Sequence, residues 1–265
     1  MSSLEPATNV SNKGKELYAH SDKIESFGLV DGPGVRSILF LSGCPLRCLY
    51  CHNPEMQEGN CGSLITPKEA FDKLMRYRGY WGEKGGITVS GGEPLQSLDF
   101  IIELGKLAKK EGVSYVIDTS AASFNDSDSY KAKFDELLKV SDLFLLDLKA
   151  LDPALHQKVT GKTNENILAC YRYLAEKKFP LWVRYVLVPG LTDGEETLQK
   201  SRDFLKSLGN VERLEVLPYH ALAIPKYEAL HREYLLQDTP TPTKEEIVRA
   251  NRILESDSFK KYLER

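Results

Sequence analysis

The sequence predicts an α/β fold in which mainly parallel strands are covered by helices. Amphipathic helical stretches alternate with six short segments that are almost continuously apolar or β-branched, as expected of strands buried on both faces. This alternation predicts parallel strands joined by right-handed crossovers. The predicted strands are Val35–Gly43, Gly86–Ser90, Ser114–Asp118, Leu143–Leu148, Leu181–Val188 and Glu212–Leu217.

The helical stretches carry start and stop signals. Thr66 begins one helix with a capping box, since Glu69 stands three residues after the cap. Thr243 and Glu246 repeat this pattern in "TKEEIVRANRILES". Between them, "FIIELGKLAKKEG" ends in two lysines and Gly112, which favour a helix C-terminus.

Two architectures agree with this order of elements: a doubly wound open sheet, or a barrel-like array with fewer than eight βα units. No Gly/Ser-rich linker divides the 265 residues. We therefore expect a mobile polar tail over residues 1–13 and a single domain over residues 14–265.

Composition excludes several classes of partner. The formal net charge of −3 gives no reason to expect nucleic-acid binding, which favours a basic surface. No apolar run reaches membrane-spanning length, and the N-terminal segment does not have the pattern of a secretory signal. We expect a cytoplasmic, monomeric protein whose thiols stay reduced.

Polar residues follow most of the predicted strands at the point where each strand ends. Taken singly, each has an ordinary explanation, such as a helix cap, a turn, a surface charge or a buried histidine. Together they predict one composite active site, because ligands of such folds bind at the carboxyl ends of the strands. The segments are the cysteine loop after Gly43, "SGGEP" at Ser90–Pro94, "DTS" at Asp118–Ser120, "DLK" at Asp147–Lys149 and "LPYH" ending at His220.

The cysteine loop predicts a metal or redox centre. Cys44, Cys48 and Cys51 have the spacing C-x3-C-x2-C. In a helix this spacing would place all three side chains on one face, where they could simply pack against the core, but Pro45 disfavours a helical conformation at Cys44. Zinc is one candidate, although a closed site needs four ligands and Cys61 has no partner cysteine nearby. An iron–sulfur cluster is the other, and three thiolates on a four-iron cluster leave one iron open for chemistry.

The motif "GCPLRCLYCHNPE", with an aromatic residue before its last cysteine, resembles the radical S-adenosylmethionine (SAM) superfamily. "DGPG" and "CHNP" narrow the resemblance to glycyl-radical activating enzymes. Only Cys61 stands where some relatives carry a cysteine-rich insert, which favours the branch that acts on pyruvate formate-lyase. The resemblance extends through "TVSGGEPLQ", "LLDLKA", "VRYVLVPGLTD" and "NVERLEVLPYH", and it implies a partial (βα)6 TIM-like barrel.

The resemblance also implies the chemistry. A 4Fe-4S cluster on the three cysteines would bind SAM, and an electron from flavodoxin or ferredoxin would cleave SAM to methionine and a 5′-deoxyadenosyl radical. That radical would take a hydrogen atom from a glycine of pyruvate formate-lyase. The alternatives are an activase of another glycyl-radical enzyme and a non-catalytic iron–sulfur or zinc module.

Further site residues follow from the same resemblance. Asp31 and His52 match positions that meet the glycine-bearing segment, and Arg184, a charge inside an apolar strand, is expected to need an anionic partner such as SAM or its product. Ser120 and Ala121 depart from the "NG" of many relatives, and Cys61 and Cys170 match no ligand position. The residues that match SAM contacts are Tyr50, Gly91, Gly92, Glu93, Lys149, Val186 and His220. Those that match a monovalent cation site (Na+ or K+) are Asp118, Thr119, Leu145 and Asp147.

Overall fold

The computed structural model describes residues 16–264, so the predicted tail lies outside the described residues. Within that span the chain forms two compact units. The first comprises residues 16–45, 55–118 and 128–142, and the second residues 46–54, 119–127 and 143–264. The single domain expected from the sequence stays a prediction.

In the described residues of the first unit, five strands are hydrogen-bonded in the order β3-β1-β2-β4-β5. β2, β4 and β5 run parallel, whereas β1 pairs antiparallel with both β2 and β3. The strands are β1 Ala19–Gly28, β2 Arg36–Leu41, β3 Ser63–Ile65, β4 Gly86–Gly91 and β5 Ser114–Thr119. The helices are α1 Pro67–Met75, α2 Leu98–Lys110 and α3 Asp128–Val140.

In the second unit, the described strands pair in parallel in the order β6-β7-β8. They are β6 Leu143–Asp147, β7 Leu181–Leu187 and β8 Val211–Pro218. The helices are α4 Pro153–Thr160, α5 Glu165–Glu176, α6 Glu195–Leu208, α7 Ile224–Ala229 and α8 Lys244–Leu254. None of the helices in residues 16–264 has the length and apolar character of a membrane span.

Local sequence signals explain most of these bounds. All six predicted strands are found within the described residues, and β2 is shorter than predicted because Gly43, with a φ of 96°, has left the extended conformation. The predicted capping boxes are present at Thr66 and Thr243. β1 and β3 were not predicted: β1 alternates between buried and more exposed residues, as expected of an antiparallel strand with one solvated face.

Candidate active site

Cys44 lies just beyond β2 and is fixed by backbone hydrogen bonds within the first unit. Its N–H donates to the carbonyl of Gln57 (3.2 Å), and the carbonyl of the preceding Gly43 accepts the N–H of Glu93 (2.7 Å). The buried Glu93 carboxylate in turn accepts the N–H of Leu95 (3.0 Å) and caps the short 3-10 helix after β4. The first cysteine of the motif is therefore tied directly to the "SGGEP" loop.

Gly91 and Gly92 are required by packing inside the first unit. A Cβ atom on Gly91 would lie 2.1 Å from the carbonyl oxygen of Leu41, and Gly91 has a φ of 120°. A Cβ atom on Gly92 would lie 2.2 Å from the carbonyl oxygen of Gly43. Only glycine permits these close approaches and, at Gly91, the positive φ. The role of the two glycines in binding SAM stays a prediction.

Asp118 has a buried hydrogen-bond donor in Ser90. The Ser90 hydroxyl lies 2.6 Å from Asp118 Oδ2, and both side chains are buried. Their proximity follows from the parallel pairing of β4 with β5, which places Val89 opposite Ile117. Ser90 begins the predicted "SGGEP" segment, but its hydrogen bond to Asp118 was not predicted.

Asp31 belongs to a turn that the buried Arg36 supports. The Thr88 hydroxyl donates to the carbonyl of Asp31 (2.7 Å) and accepts a hydrogen bond from Arg36 Nε (2.7 Å). Arg36 also donates to the carbonyls of Pro33 (2.9 Å) and Ile87 (2.7 Å). Burial lowers the pKa of Arg36 to about 10, with nearby carboxylates acting in the opposite direction. Arg36 was not predicted as a site residue, although it is a charge at the start of an apolar strand.

Cys48 and Cys51 lie in the second unit, on a loop anchored to α4. The N–H of Leu49 donates to the carbonyl of Val159 (2.9 Å), and the N–H of Cys51 donates to the carbonyl of Cys48 (3.1 Å). Burial raises the pKa of Cys48 to about 11, although the charge of Lys149 lowers it. A thiol that is neutral in the free chain becomes a thiolate when it binds a metal, so metal binding here releases a proton.

His52 and His220, predicted separately, are in direct contact in the second unit. Their rings stack with centroids 4.1 Å apart, and His52 Nε2 lies 3.3 Å from the carbonyl oxygen of His220. Burial and then the neighbouring His220 lower the pKa of His52, which favours the neutral imidazole. His220 Nδ1 is buried without a hydrogen-bond partner in the described part of the chain. It is a polar atom that a ligand can satisfy.

Asp147, Lys149 and Arg184 form a largely buried ion network. Lys149 Nζ lies 2.7 Å from Asp147 Oδ2, and Arg184 Nε lies 3.3 Å from Asp147 Oδ1. Burial acts to raise the pKa of Asp147, but the two cations hold it below its ordinary value. Burial likewise lowers the pKa of Lys149, and Asp147 reverses this and raises it well above its ordinary value. Asp147 is therefore an anionic partner of Arg184 in this structure. The contact of Arg184 with SAM or its product stays a prediction.

The remaining predicted residues of the second unit lie at strand ends or in the hydrophobic core. The Thr119 hydroxyl accepts the N–H of Ala121 (2.8 Å), and Ala121 adopts a φ of 58°. Ala121 thus holds a left-handed conformation that glycine would adopt more readily. Leu145 is fully buried in β6, and Val186 packs against the aromatic cluster that contains Tyr50.

Comparison with known proteins decides the family. The model of the Radical SAM superfamily matches residues 38–201, which is more than half of the chain. The chain belongs to the radical SAM superfamily.

Curated radical SAM relatives match this chain almost from end to end. A pyruvate formate-lyase-activating enzyme of Streptococcus mutans serotype c is 42% identical over 243 residues, which cover 91% of this chain and 92% of that protein. A protein of the same name from Staphylococcus epidermidis is 46% identical over 238 residues, covering 89% of this chain and 95% of that protein.

Solved structures agree with this placement. A domain of a pyruvate-formate lyase-activating enzyme from Bacteroides vulgatus has a TM-score of 0.54 at 29% identity, covering 66% of this chain and 96% of that one. A radical SAM methyltransferase from Sphaerobacter thermophilus has a TM-score of 0.60 at 18% identity, covering 85% of this chain and 65% of that one. The predicted fold class, a partial TIM-like barrel of mainly parallel strands with surrounding helices, is confirmed.

Membership of the radical SAM superfamily implies a 4Fe-4S cluster and SAM as cofactors. The described residues fit these groups, because none of the five cysteines, which all lie in the described span, forms a disulfide. Buried polar atoms without a partner in residues 16–264 include the Tyr50 hydroxyl and His220 Nδ1, both in the second unit. No group of three or more His, Cys, Asp or Glu side chains in residues 16–264 is arranged to hold a metal ion.

Proposed function

We propose that this chain is a radical SAM activase that generates the glycyl radical of pyruvate formate-lyase. The observation that carries the proposal is the near full-length match to curated enzymes of that name, at 42% identity over 91% of this chain. The motif C-x3-C-x2-C and the "DGPG" and "CHNP" segments support the same conclusion from the residues themselves.

The three cysteines of the motif, Cys44, Cys48 and Cys51, would hold the 4Fe-4S cluster. When bound, the cluster supplies the electron that cleaves SAM to methionine and a 5′-deoxyadenosyl radical, which removes a hydrogen atom from a glycine of the partner. Around it, Asp31 and His52 would position the glycine-bearing segment. Arg184 would act in the same site by holding the carboxylate of Asp147.

The SAM residues follow the resemblance, with physical support for several of them. Tyr50 and His220 offer a buried hydroxyl and a buried ring nitrogen without partners among the described residues, and such groups are stabilised when a ligand satisfies them. Val186 supplies an apolar surface beside Tyr50. The remaining SAM contacts are assigned to Gly91, Gly92, Glu93 and Lys149.

A monovalent cation, Na+ or K+, is proposed at Asp118, Thr119, the backbone carbonyl of Leu145 and Asp147. The charge of Asp147 alone does not require this cation, because Lys149 and Arg184 already neutralise the carboxylate. We further propose reduced flavodoxin or ferredoxin as the electron donor, and a monomer in the cytoplasm.

The test is electron paramagnetic resonance of the reduced, anaerobically reconstituted protein mixed with SAM and pyruvate formate-lyase. We expect a glycine-centred doublet on the lyase, and its loss in Cys51→Ser but not in the matched variant Cys170→Ser. A doublet that forms only on a different glycyl-radical enzyme would reassign the partner. If neither methionine nor 5′-deoxyadenosine forms, the chain is a non-catalytic module.

A further inference from the structure

His52 is an exposed side chain, so packing in the core does not fix its orientation. Its ring stacks on His220 with centroids 4.1 Å apart, and its Nε2 lies 3.3 Å from the carbonyl oxygen of His220. A carbonyl oxygen can only accept a hydrogen bond, so Nε2 carries the proton in this contact. The orientation of the His52 ring therefore depends on how its own backbone is held beside the segment that carries His220.

Lys226 holds the residue next to His52. It is half-buried in α7, and its ammonium donates to Asn53 Oδ1 (3.0 Å). Pro54 follows Asn53, and a proline restricts the backbone of the residue before it to extended conformations. Asn53 therefore has little freedom of its own, and a contact at its side chain also constrains the backbone of His52.

The turn after α7 adds a second contact to the same loop. α7 ends in a Schellman motif, in which the N–H of Arg232 donates to the carbonyl of Tyr227 (2.9 Å). His231 takes the left-handed position of this motif, with a φ of 52°. Arg232 thereby lies over the Tyr227 ring, 5.3 Å from its centroid, and its guanidinium donates to the carbonyl of Pro54 (3.4 Å). α7 and its turn thus bind both residues that follow His52.

Other contacts hold the cysteines of this unit. The N–H of Cys51 donates to the carbonyl of Cys48 (3.1 Å), and the N–H of Leu49 donates to the carbonyl of Val159 (2.9 Å). Neither of these hydrogen bonds involves α7. The contact of Lys226 therefore acts on the residues after the last cysteine, where the chain presents an exposed imidazole.

We propose that Lys226 is a positioning residue for the protein substrate. By holding Asn53, it keeps His52 in the orientation that meets the glycine-bearing segment. This inference rests on the proposed function of His52 and extends it to a residue that the sequence did not single out. Lys226 itself touches neither the lyase nor SAM, because it acts through Asn53.

The first test is the steady-state kinetics of glycyl-radical formation by reconstituted Lys226→Met, which keeps the apolar stem and removes the donor. We expect the KM for pyruvate formate-lyase to rise about tenfold at an unchanged kcat, as one lost hydrogen bond of a charged donor would cause. Lys226→Arg keeps a donor and should stay close to the wild type. The matched control, Lys200→Met, removes the same charge from an exposed pair with Glu196 and should leave the KM unchanged. An unchanged KM in Lys226→Met would overturn the proposal.

A double-mutant cycle with Asn53→Ala tests whether Lys226 acts through Asn53. In the Asn53→Ala background, Lys226→Met should cause no further rise in KM, because the acceptor is already gone. The two proteins compared share Asn53→Ala, so any effect of that substitution alone cancels. Equal effects of Lys226→Met in both backgrounds would show that the lysine acts elsewhere, for example in direct contact with the lyase, and would overturn the proposal.

The last test needs no lyase. In the cluster-free full-length chain at about pH 8, above the ordinary pKa of imidazole, the His52 ring protons are identified in the NMR spectrum by their loss in His52→Gln. Lys226→Met should shift these resonances because the ring loses its stacked geometry on His220, whereas Lys226→Arg and Lys200→Met should not. Unshifted resonances in Lys226→Met would overturn the proposal. If the wild-type enzyme forms no radical on the lyase, the proposed function fails, and this spectrum still decides whether Lys226 orients His52.

Discussion

Arg184 and Asp147 stand opposite each other in the parallel pairing of β6 and β7, with Arg184 Nε 3.3 Å from Asp147 Oδ1. Lys149 binds the other oxygen of the same carboxylate at 2.7 Å. Because charges that have left water are stable only when they are paired, one carboxylate holds two cationic side chains at these strand ends.

Replacing this carboxylate should destabilise the fold strongly. Asp147→Asn removes the charge of the carboxylate that both Lys149 and Arg184 bind, and we expect a loss of about 3–5 kcal/mol in the free energy of unfolding, measured by urea denaturation. The control is Glu196→Gln, which breaks an exposed i,i+4 pair with Lys200 and should have no measurable effect. Equal stability of Asp147→Asn and the wild type would contradict the paired arrangement.

The same network predicts a pH dependence. The pKa of Asp147 is depressed below its ordinary value of 3.8, so its contribution to stability is complete above that value and is lost as the pH falls through the depressed pKa. The stability difference between the wild type and Asp147→Asn should therefore shrink once the pH drops below about 4. Urea denaturation of both proteins across the acid range measures this difference, and a constant difference would refute the prediction.

Gly91 should not tolerate a side chain. Gly91→Ala combines a positive φ with a Cβ atom 2.1 Å from the carbonyl oxygen of Leu41, and we expect it to lose at least about 3 kcal/mol of stability or to fail to fold. Gly112→Ala is the matched control, because Gly112 has a φ of 62° but nothing within 4 Å of its Cβ position. Its cost should be the conformational one alone, about 1 kcal/mol. Similar losses in the two variants would argue against the packing explanation.

Thr88 should affect the protein substrate more than SAM. Thr88→Val removes the hydroxyl that links Arg36 to the carbonyl of Asp31, and we expect a loss of about 1–3 kcal/mol in stability. The KM for pyruvate formate-lyase should rise, while SAM cleavage without the lyase stays at the wild-type rate. Ser141→Ala removes a buried hydroxyl that bonds the carbonyl of Leu137 and should leave that KM unchanged. If the KM for the lyase is the same in Thr88→Val and the wild type, Asp31 does not position the protein substrate.

The sequence was sufficient for the parallel strands and for two helix starts. Buried parallel strands are continuously apolar, and a capping box such as that of Thr66 and Glu69 is a local signal. β1 and β3 were missed because β1 alternates polar with apolar residues and β3 has only three residues. Such antiparallel strands are defined by their partners more than by their own composition.

The sequence offered candidate site residues but not the contacts between them, and the roles of those residues stay predictions. Polar residues at strand ends were identified because the fold class places such ends at one edge. The hydrogen bonds of Ser90 to Asp118 and of Arg36 to Thr88 were not, since each depends on strand register. Arg184 illustrates the difference: its need for an anion follows from the sequence, but the identity of that anion follows only from the pairing of β6 with β7.

The tight fit of Gly91 and Gly92 against the backbone of Leu41 and Gly43 has an evolutionary consequence. A descendant of this protein that no longer bound SAM would still need both glycines in order to fold. The pair is therefore a poor diagnostic of retained activity in degenerate paralogues, whereas loss of a single thiol from the loop would reveal such a pseudoenzyme at once.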